Sequence, residues 1–239
     1  RQRQMCIRDR MGMKKINRWF KSLIHGYDLP QLKKSKLWSI MPSDKICILA
    51  PHADDESIGC GGLLAKYGSQ CDVILLTDGR LNGNGNTPEE TVKIREAEFA
   101  AVMKFFNVRH YEFMRAQDGM LIDAYKSFEK IDFSDYDYVV MPHGHDAHKD
   151  HVVPQAFFRR LRKEKKNIRA KAVYYEVWAP LPEPTHYLDI SEAVEAKRQA
   201  INMYVSQLEK IDYTSRIMGL NHYRGIRHFV EYEEDFVIE

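Results

Sequence analysis

The sequence predicts an α/β protein, a doubly wound and mostly parallel sheet in a single domain. Three observations carry this. Short apolar runs of strand type recur at 46–50, 73–77, 138–141 and 172–177. Stretches of helical period separate them, which is the alternation expected of strand–helix–strand units. Polar segments rich in glycine, histidine or aspartate follow the strands, where such sheets hold their ligands.

The elements follow in order. Ile46-Cys47-Ile48-Leu49-Ala50 reads as a buried strand, and a helix is expected from about Ser57 to Tyr67, with Gly59, Gly61 and Gly62 allowing close approach to the sheet. Val73–Thr77 is the next strand, followed by a polar loop over 78–86. Thr87, Pro88 and Glu90 form an N-cap, a first-turn proline and a capping-box acid. The helix they open is expected to bury Ile94, Ala97, Ala101 and Phe105. Strands are expected at 111–114, 138–141, 172–177 and 187–190, with a helix over 153–163. A long helix over 192–210 and a strand-like run within 228–239 complete the chain. This is a Rossmann-like order. If it runs 3-2-1-4-5, the strands at 46–50 and 138–141 are neighbours where the order reverses, and their carboxyl ends meet.

Composition narrows the function classes. In 239 residues, 44% are apolar and 29% charged, as in a soluble globular protein. No apolar run is long enough to span a bilayer, and no secretory signal is seen. Cys6, Cys47, Cys60 and Cys71 lack zinc-finger spacing and suit reduced thiols in a cytoplasmic setting. Charge is uneven: residues 1–37 hold eleven Lys/Arg against two Asp, a local +9 in a chain of net +2, so the remainder carries −7. The expected division is therefore a basic extension over 1–43 and a domain over 44–239. Residues 1–10 have no period and read as a non-native extension. Residues 14–26 place Ile16, Trp19, Phe20, Leu23 and Ile24 at helical spacing among Lys14, Lys15, Arg18 and Lys21. This basic amphipathic helix suits packing on the domain, or peripheral contact with the inner face of a membrane. Nucleic acid is not an expected partner, and the sequence sets no oligomeric state.

Two segments carry the chemistry. Pro51-His52-Ala53-Asp54-Asp55-Glu56 follows the first strand, and His148-Lys149-Asp150-His151 follows the strand at 138–141. A catalytic zinc takes three N/O ligands and keeps one position for water. His52 and Asp55, separated by a tight turn, with His151 from the other strand end, supply such a set. The same donors also suit Fe2+. Asp54 then stands beside the metal as general base, and His148 is placed to stabilise an oxyanion or protonate a leaving amine. Asp150 or Asp146 could hold the His148 ring in its tautomer. Glu56 reads as a first-turn acid of the following helix. His143 and His145 read as loop residues with hydrogen-bonded rings. The reaction class is metal-assisted hydrolysis of an amide or ester. The alternatives are a metal-dependent esterase or phosphoesterase, or a non-catalytic sugar-binding module. Two-metal phosphoesterases need a further carboxylate set that is not visible, and a binding module has no need of a base. The glycines after Glu56 do not match Gly-x-Gly-x-x-Gly, so a dinucleotide cofactor is not expected.

These motifs resemble the two signatures of the PIG-L/LmbE-like zinc-dependent de-N-acetylases. Leu76-Thr77-Asp78-Gly79, Arg95-Glu96-Ala97-Glu98, Gln117-Asp118-Gly119, Ser206-Gln207 after Lys197, and Tyr232–Phe236 extend the resemblance across about 44–239. The family's usual form has Pro where Ala53 stands, and often where Lys149 stands. The resemblance implies His52, Asp55 and His151 as zinc ligands, Asp54 as base, and His148, supported by Asp150, as acid or oxyanion partner. It also implies Arg95 and Asp118 as substrate contacts. The implied activity is removal of the N-acetyl group from an N-acetylglucosamine-type sugar joined to a small molecule or a glycan.

Overall fold

The computed structural model describes residues 34–81, 83–209 and 211–239. The expected extension 1–10 and helix 14–26 lie outside them. Ser35–Glu239 forms one compact unit.

Strand β1 is Lys36–Leu37, and β2 is Ile46–Ala50. Helix α1 spans Asp55–Tyr67, β3 Cys71–Thr77, α2 Pro88–Phe105 and β4 His110–Ala116. A short α3, Tyr125–Phe128, precedes β5 at Tyr138–Pro142 and α4 at Val153–Glu164. Strands β6, Lys171–Tyr175, and β7, His186–Asp189, follow. Helices α5, Val194–Asn202, α6, Val205–Leu208, and α7, Tyr213–Gly225, lead to β8, Glu233–Ile238.

The eight strands form one sheet in the order β1-β7-β8-β6-β5-β2-β3-β4. The run β4-β3-β2-β5-β6 is parallel and has the expected 3-2-1-4-5 order. Only β8 runs antiparallel, between β6 and β7. Ile46 pairs with Tyr138 across β2 and β5, so the two motif-bearing strands are neighbours. Side chains alternate between the faces. Ile46, Ile48 and Ala50 pack with Leu63, Phe99, Ile201 and Met218 from α1, α2, α5 and α7. Cys47 and Leu49 pack with Phe128, Phe157 and Leu161 from α3 and α4.

Helix α1 approaches the sheet closely. A Cβ at Gly59 would lie 2.1 Å from Tyr175 Cδ2, and one at Gly62 2.3 Å from Ile190 Cγ2. The helix is interrupted at Cys60 (φ −133°). Just beyond, Glu234 accepts hydrogen bonds from the backbone N–H groups of Gly62 (2.7 Å) and Leu63 (2.9 Å). The fully buried Lys197 ammonium meets the same carboxylate at 2.7 Å. An anion held at a restarted helix turn is favourable once its charge is matched.

Four expectations need correction. Sheet pairing begins at Lys36, and Trp38 is buried edge-on to Tyr138 and Phe236, ahead of the expected domain start at 44. Helix α2 has its capping box, but its buried face is Thr91, Arg95, Phe99, Val102 and Met103. Ile94, Ala97, Ala101 and Phe105 are exposed. A charged residue on the inward stripe hid the true phase of the helix. The helix expected over 192–210 is broken after α5, because Tyr204 leaves helical geometry (ψ 60°) and sends its hydroxyl to Glu56 Oε1 at 2.6 Å. Helix α7 was not anticipated; Asp212 caps it by accepting from Ser215 N at 2.9 Å.

Candidate metal centre and catalytic cleft

The carboxyl end of β2 turns sharply into α1. Pro51 O accepts from both the backbone and the hydroxyl of Thr77, which fixes the turn against β3. The His52 backbone N–H donates to Asp55 Oδ2 at 2.8 Å, and Asp55 N donates back to His52 O. Between them Asp54 has φ +131°, a conformation that L-residues rarely adopt, and it caps α1 through its carbonyl. Strain of this kind persists where the surroundings over-determine it.

The loop after β5 brings the second motif to the same point. Asp146 organises it. Its Oδ1 accepts from His148 N (3.0 Å) and from His151 Nδ1 (2.8 Å), and its Oδ2 from the Trp178 and Ala179 N–H groups. With Nδ1 donating, His151 presents Nε2 as a lone pair. His52 is held the other way round. Its Nε2 lies 3.1 Å from Asp118 Oδ1 and 3.5 Å from Asp150 Oδ2, so Nε2 carries the proton and Nδ1 the lone pair.

Three donor atoms then converge. His52 Nδ1, Asp55 Oδ2 and His151 Nε2 are each 3.3 Å from the other two. A tetrahedral ion with bonds of about 2.0–2.1 Å holds its ligand atoms roughly 3.3–3.4 Å apart. The triangle therefore fits one divalent ion, with both imidazoles backed by carboxylates as metal-binding histidines generally are. Two further groupings, His52 with His148 and His151, and His52 with Asp118 and Asp150, also bring ligand atoms within 4.8 Å. The first triangle is the better set, because in the second grouping the His52 nitrogen is already occupied by a hydrogen bond.

Asp54 and His148 flank the triangle. The Asp54 carboxylate lies 3.7 Å from Arg95 Nη2, and burial, with the neighbouring Asp55 charge, pushes it up to about 7. The buried Arg95 guanidinium also donates to Ala53 O (2.9 Å) and Gly79 O (3.3 Å), not to Glu90 or Glu98 on its own helix. His148 packs edge-on to His52, and its Nδ1 accepts from the Asp150 backbone N–H at 3.3 Å. That leaves Nε2–H as a neutral donor. Burial, and then the adjacent His52 and His151, hold His148 below its usual range. The Asp150 carboxylate does not support this ring. It accepts from Gly119 N (2.7 Å) and Leu121 N (3.3 Å), which pins the turn after β4. Asp118, expected to reach the substrate, instead spends its oxygens on His52 and on Leu81 N (3.1 Å). Glu56 is fully buried and accepts from Ser57, Tyr204 and Asp54 N. His143 sits in the loop with its Nε2 2.7 Å from Ala179 O.

His52, Asp54, Asp55, Arg95, Asp118, His148 and His151 line a cleft of about 300 Å3, which also takes Leu81, Lys149, Trp178, Gln207, Ile211 and Tyr213. Gln207 and Lys149 stand in segments that carry the family resemblance, whereas Leu81, Trp178, Ile211 and Tyr213 were not given a role from sequence. Trp178 had a usable signal: it lies just beyond the carboxyl end of β6, where ligands of parallel sheets bind.

One family, described as PIG-L: GlcNAc-PI de-N-acetylase, matches the chain over residues 47–161. Over that segment, just under half of the chain, the sequence is of PIG-L type. Residues 47–161 hold both metal-ligand motifs, Arg95 and Asp118, while β6 to β8 lie beyond the matched segment. Solved structures share the fold. An N,N'-diacetylchitobiose deacetylase from Pyrococcus horikoshii, complexed with its inhibitor MPG, matches with TM-score 0.73 and 20% identity over 93% of this chain and 92% of that one. A zinc-inhibited form of the teicoplanin deacetylase Orf2 matches with TM-score 0.62 and 15% identity over 82% of this chain and 98% of that one. GalB, a 4-carboxy-2-hydroxymuconate hydratase from Pseudomonas putida KT2440, matches with TM-score 0.66 and 15% identity over 82% of this chain and 95% of that one. At these identities the likeness is one of fold, and the chemistry of this protein rests on its own residues.

Proposed function

We propose that this protein is a metal-dependent amidohydrolase that removes the N-acetyl group from an N-acetylglucosamine-type sugar conjugate. The observation that carries the proposal is the 3.3 Å triangle of His52, Asp55 and His151 with the unligated Asp54 beside it. We assign Zn2+ as the resident ion, with Fe2+ compatible with the same donors. When bound there, such an ion supplies Lewis acidity toward an amide carbonyl and acidifies a water.

The chain's own residues supply the rest. Asp54, beside the ligand triangle but not part of it, is suited to take the proton of the attacking water and return it to the departing amine. Arg95 holds the Asp54 carboxylate and the backbone turn in place from behind. His148 offers a neutral Nε2–H to the carbonyl oxygen as charge develops on it, because its Nδ1 is committed to the Asp150 N–H. Asp118 and Asp146 are positioning residues that set the tautomers of the two ligand imidazoles.

The test is amine release from a panel of N-acetylglucosamine conjugates by zinc-loaded protein. Free amine and acetate in equal amounts are expected, with loss of turnover on chelation and recovery on adding Zn2+ or Fe2+. Ester or phosphoester cleavage with no amine release would overturn the proposal. A cytoplasmic setting is part of this reading, supported by the buried free thiols Cys47, Cys60 and Cys71. No helix among the described residues is long and apolar enough to cross a membrane. Peripheral attachment through 14–26 is read out by co-sedimentation with anionic vesicles.

A further inference from the structure

Glu56 stands in the first motif, yet its carboxylate neither joins the ligand triangle nor lines the cleft. It is fully buried and makes no ion pair among the described residues. An acid buried without a basic partner costs stability. An acid that served only the N-terminal end of α1 could do so from solvent.

Its contacts show what it holds. Oε1 accepts from the Tyr204 hydroxyl at 2.6 Å and from the Ser57 hydroxyl at 2.7 Å, which fixes the carboxylate in place. Oε2 then accepts from the backbone N–H of Asp54 at 3.3 Å. Asp54 is the residue at φ +131°, a conformation that an aspartate leaves unless its surroundings hold it. If its peptide turned, its carboxylate would swing away from Arg95 Nη2, now 3.7 Å distant. Tyr204 is 1% exposed and departs from helical geometry (ψ 60°) to make its bond, so a second departure from regular backbone converges on the same acid. Arg95 thus steadies the carboxylate end of Asp54, and Glu56 its peptide end. We propose that Glu56, anchored by Tyr204 and Ser57, is a positioning residue that holds the Asp54 backbone in its positive-φ conformation and so aims the base at the attacking water. This inference rests on the deacetylase reading, in which Asp54 is that base.

The experiment compares zinc-loaded, full-length native protein with Glu56→Met, Glu56→Gln and Tyr204→Phe on one N-acetylglucosaminide. Methionine keeps the length of the side chain but offers the Asp54 N–H no oxygen. It is expected to lower kcat by about 10–100-fold, with KM and bound metal little changed. Glutamine can turn its amide oxygen to the Asp54 N–H and its NH2 to the two hydroxyls, so it is expected to recover most of that loss. Tyr204→Phe removes the anchor, keeps the ring, and is expected to lower kcat about tenfold. If Glu56→Met does not fold, Tyr204→Phe decides. In the Asp54→Asn protein neither change should lower turnover further, because both act through Asp54. Metal lost together with turnover, or losses that multiply that of Asp54→Asn, would overturn the inference and leave the deacetylase reading intact. A crystal structure of Glu56→Met gives a readout free of turnover. Asp54 is expected there at negative φ with its carboxylate away from Arg95, and an unmoved Asp54 would overturn the inference. Asp54 displaced in that structure, with no amine released by native protein, would uphold the hold of Glu56 on Asp54 and sink the deacetylase reading.

Discussion

Asp118 accepts the Nε2 proton of His52 at 3.1 Å, and by doing so it decides which nitrogen of that ring faces Asp55 and His151. Asp146 makes the same choice for His151 through the opposite ring nitrogen, at 2.8 Å. The two ligand imidazoles are therefore oriented by carboxylates from different loops, one after β4 and one after β5.

That arrangement predicts separate phenotypes for ligand support and for proton transfer. Asp118→Asn and Asp146→Asn should each weaken metal affinity by about 10–100-fold. Metal content after titration with a competing chelator checks this. Unchanged affinity in both variants would show that the rear hydrogen bonds do not set the tautomers.

Asp54→Asn should behave in the opposite way. The amide keeps the size and the contact with Arg95 but cannot take a proton, so bound metal should persist while turnover falls by about 10²–10⁴-fold. Metal analysis and amine release on one sample separate the effects. Full activity would remove Asp54 from the role of base.

A pH dependence of stability is expected from a buried acid pair that is not part of the ligand triangle. Burial pushes Glu233 and Asp235 each up to about 7, despite Arg224 and Arg227 nearby. Glu233 also meets His228 at 2.8 Å, and Arg224 reaches across to Glu176. Both carboxyls bind protons more tightly folded than unfolded, so stability is full below about pH 4 as far as this pair is concerned. It falls as pH rises from the unfolded carboxylate range through about 7. Melting temperatures across that window should show the decline, and Asp235→Asn should flatten it. An identical slope in the variant would assign the dependence elsewhere.

Gly59→Ala should destabilise the fold without touching the ligands. The added methyl would meet Tyr175 Cδ2 at 2.1 Å and the Glu176 carbonyl at 2.9 Å. Overpacking of this kind costs typically about 1–3 kcal/mol. A denaturant midpoint equal to that of the native protein would mean that α1 can retreat from the sheet.

Much of this was legible in the sequence because the informative residues are local. Each metal motif is a few residues long and follows a plainly apolar strand, so both the strand order and the convergence at β2 and β5 could be anticipated. Contacts made over long distances were not legible. The roles of Asp118 and Asp150 depend on which loop each faces. Arg95, marked by the resemblance as a substrate contact, shows its contacts with Ala53 O, Gly79 O and Asp54 only once the β2 turn is placed beside it. Tyr204 breaks a helix of good local propensity because Glu56, 148 positions earlier, needs its hydroxyl. For Arg95 and Tyr204 a polar contact overrode the apolar period from which helix faces are read.

Asp54 occupies a backbone region natural to glycine, φ +131°. Holding an aspartate there costs about 1–3 kcal/mol. Asp54→Gly should therefore yield a protein that melts later and has lost most of its turnover. Durability and turnover pull against each other at one position, and screening for thermal robustness alone would select away the very side chain on which hydrolysis turns.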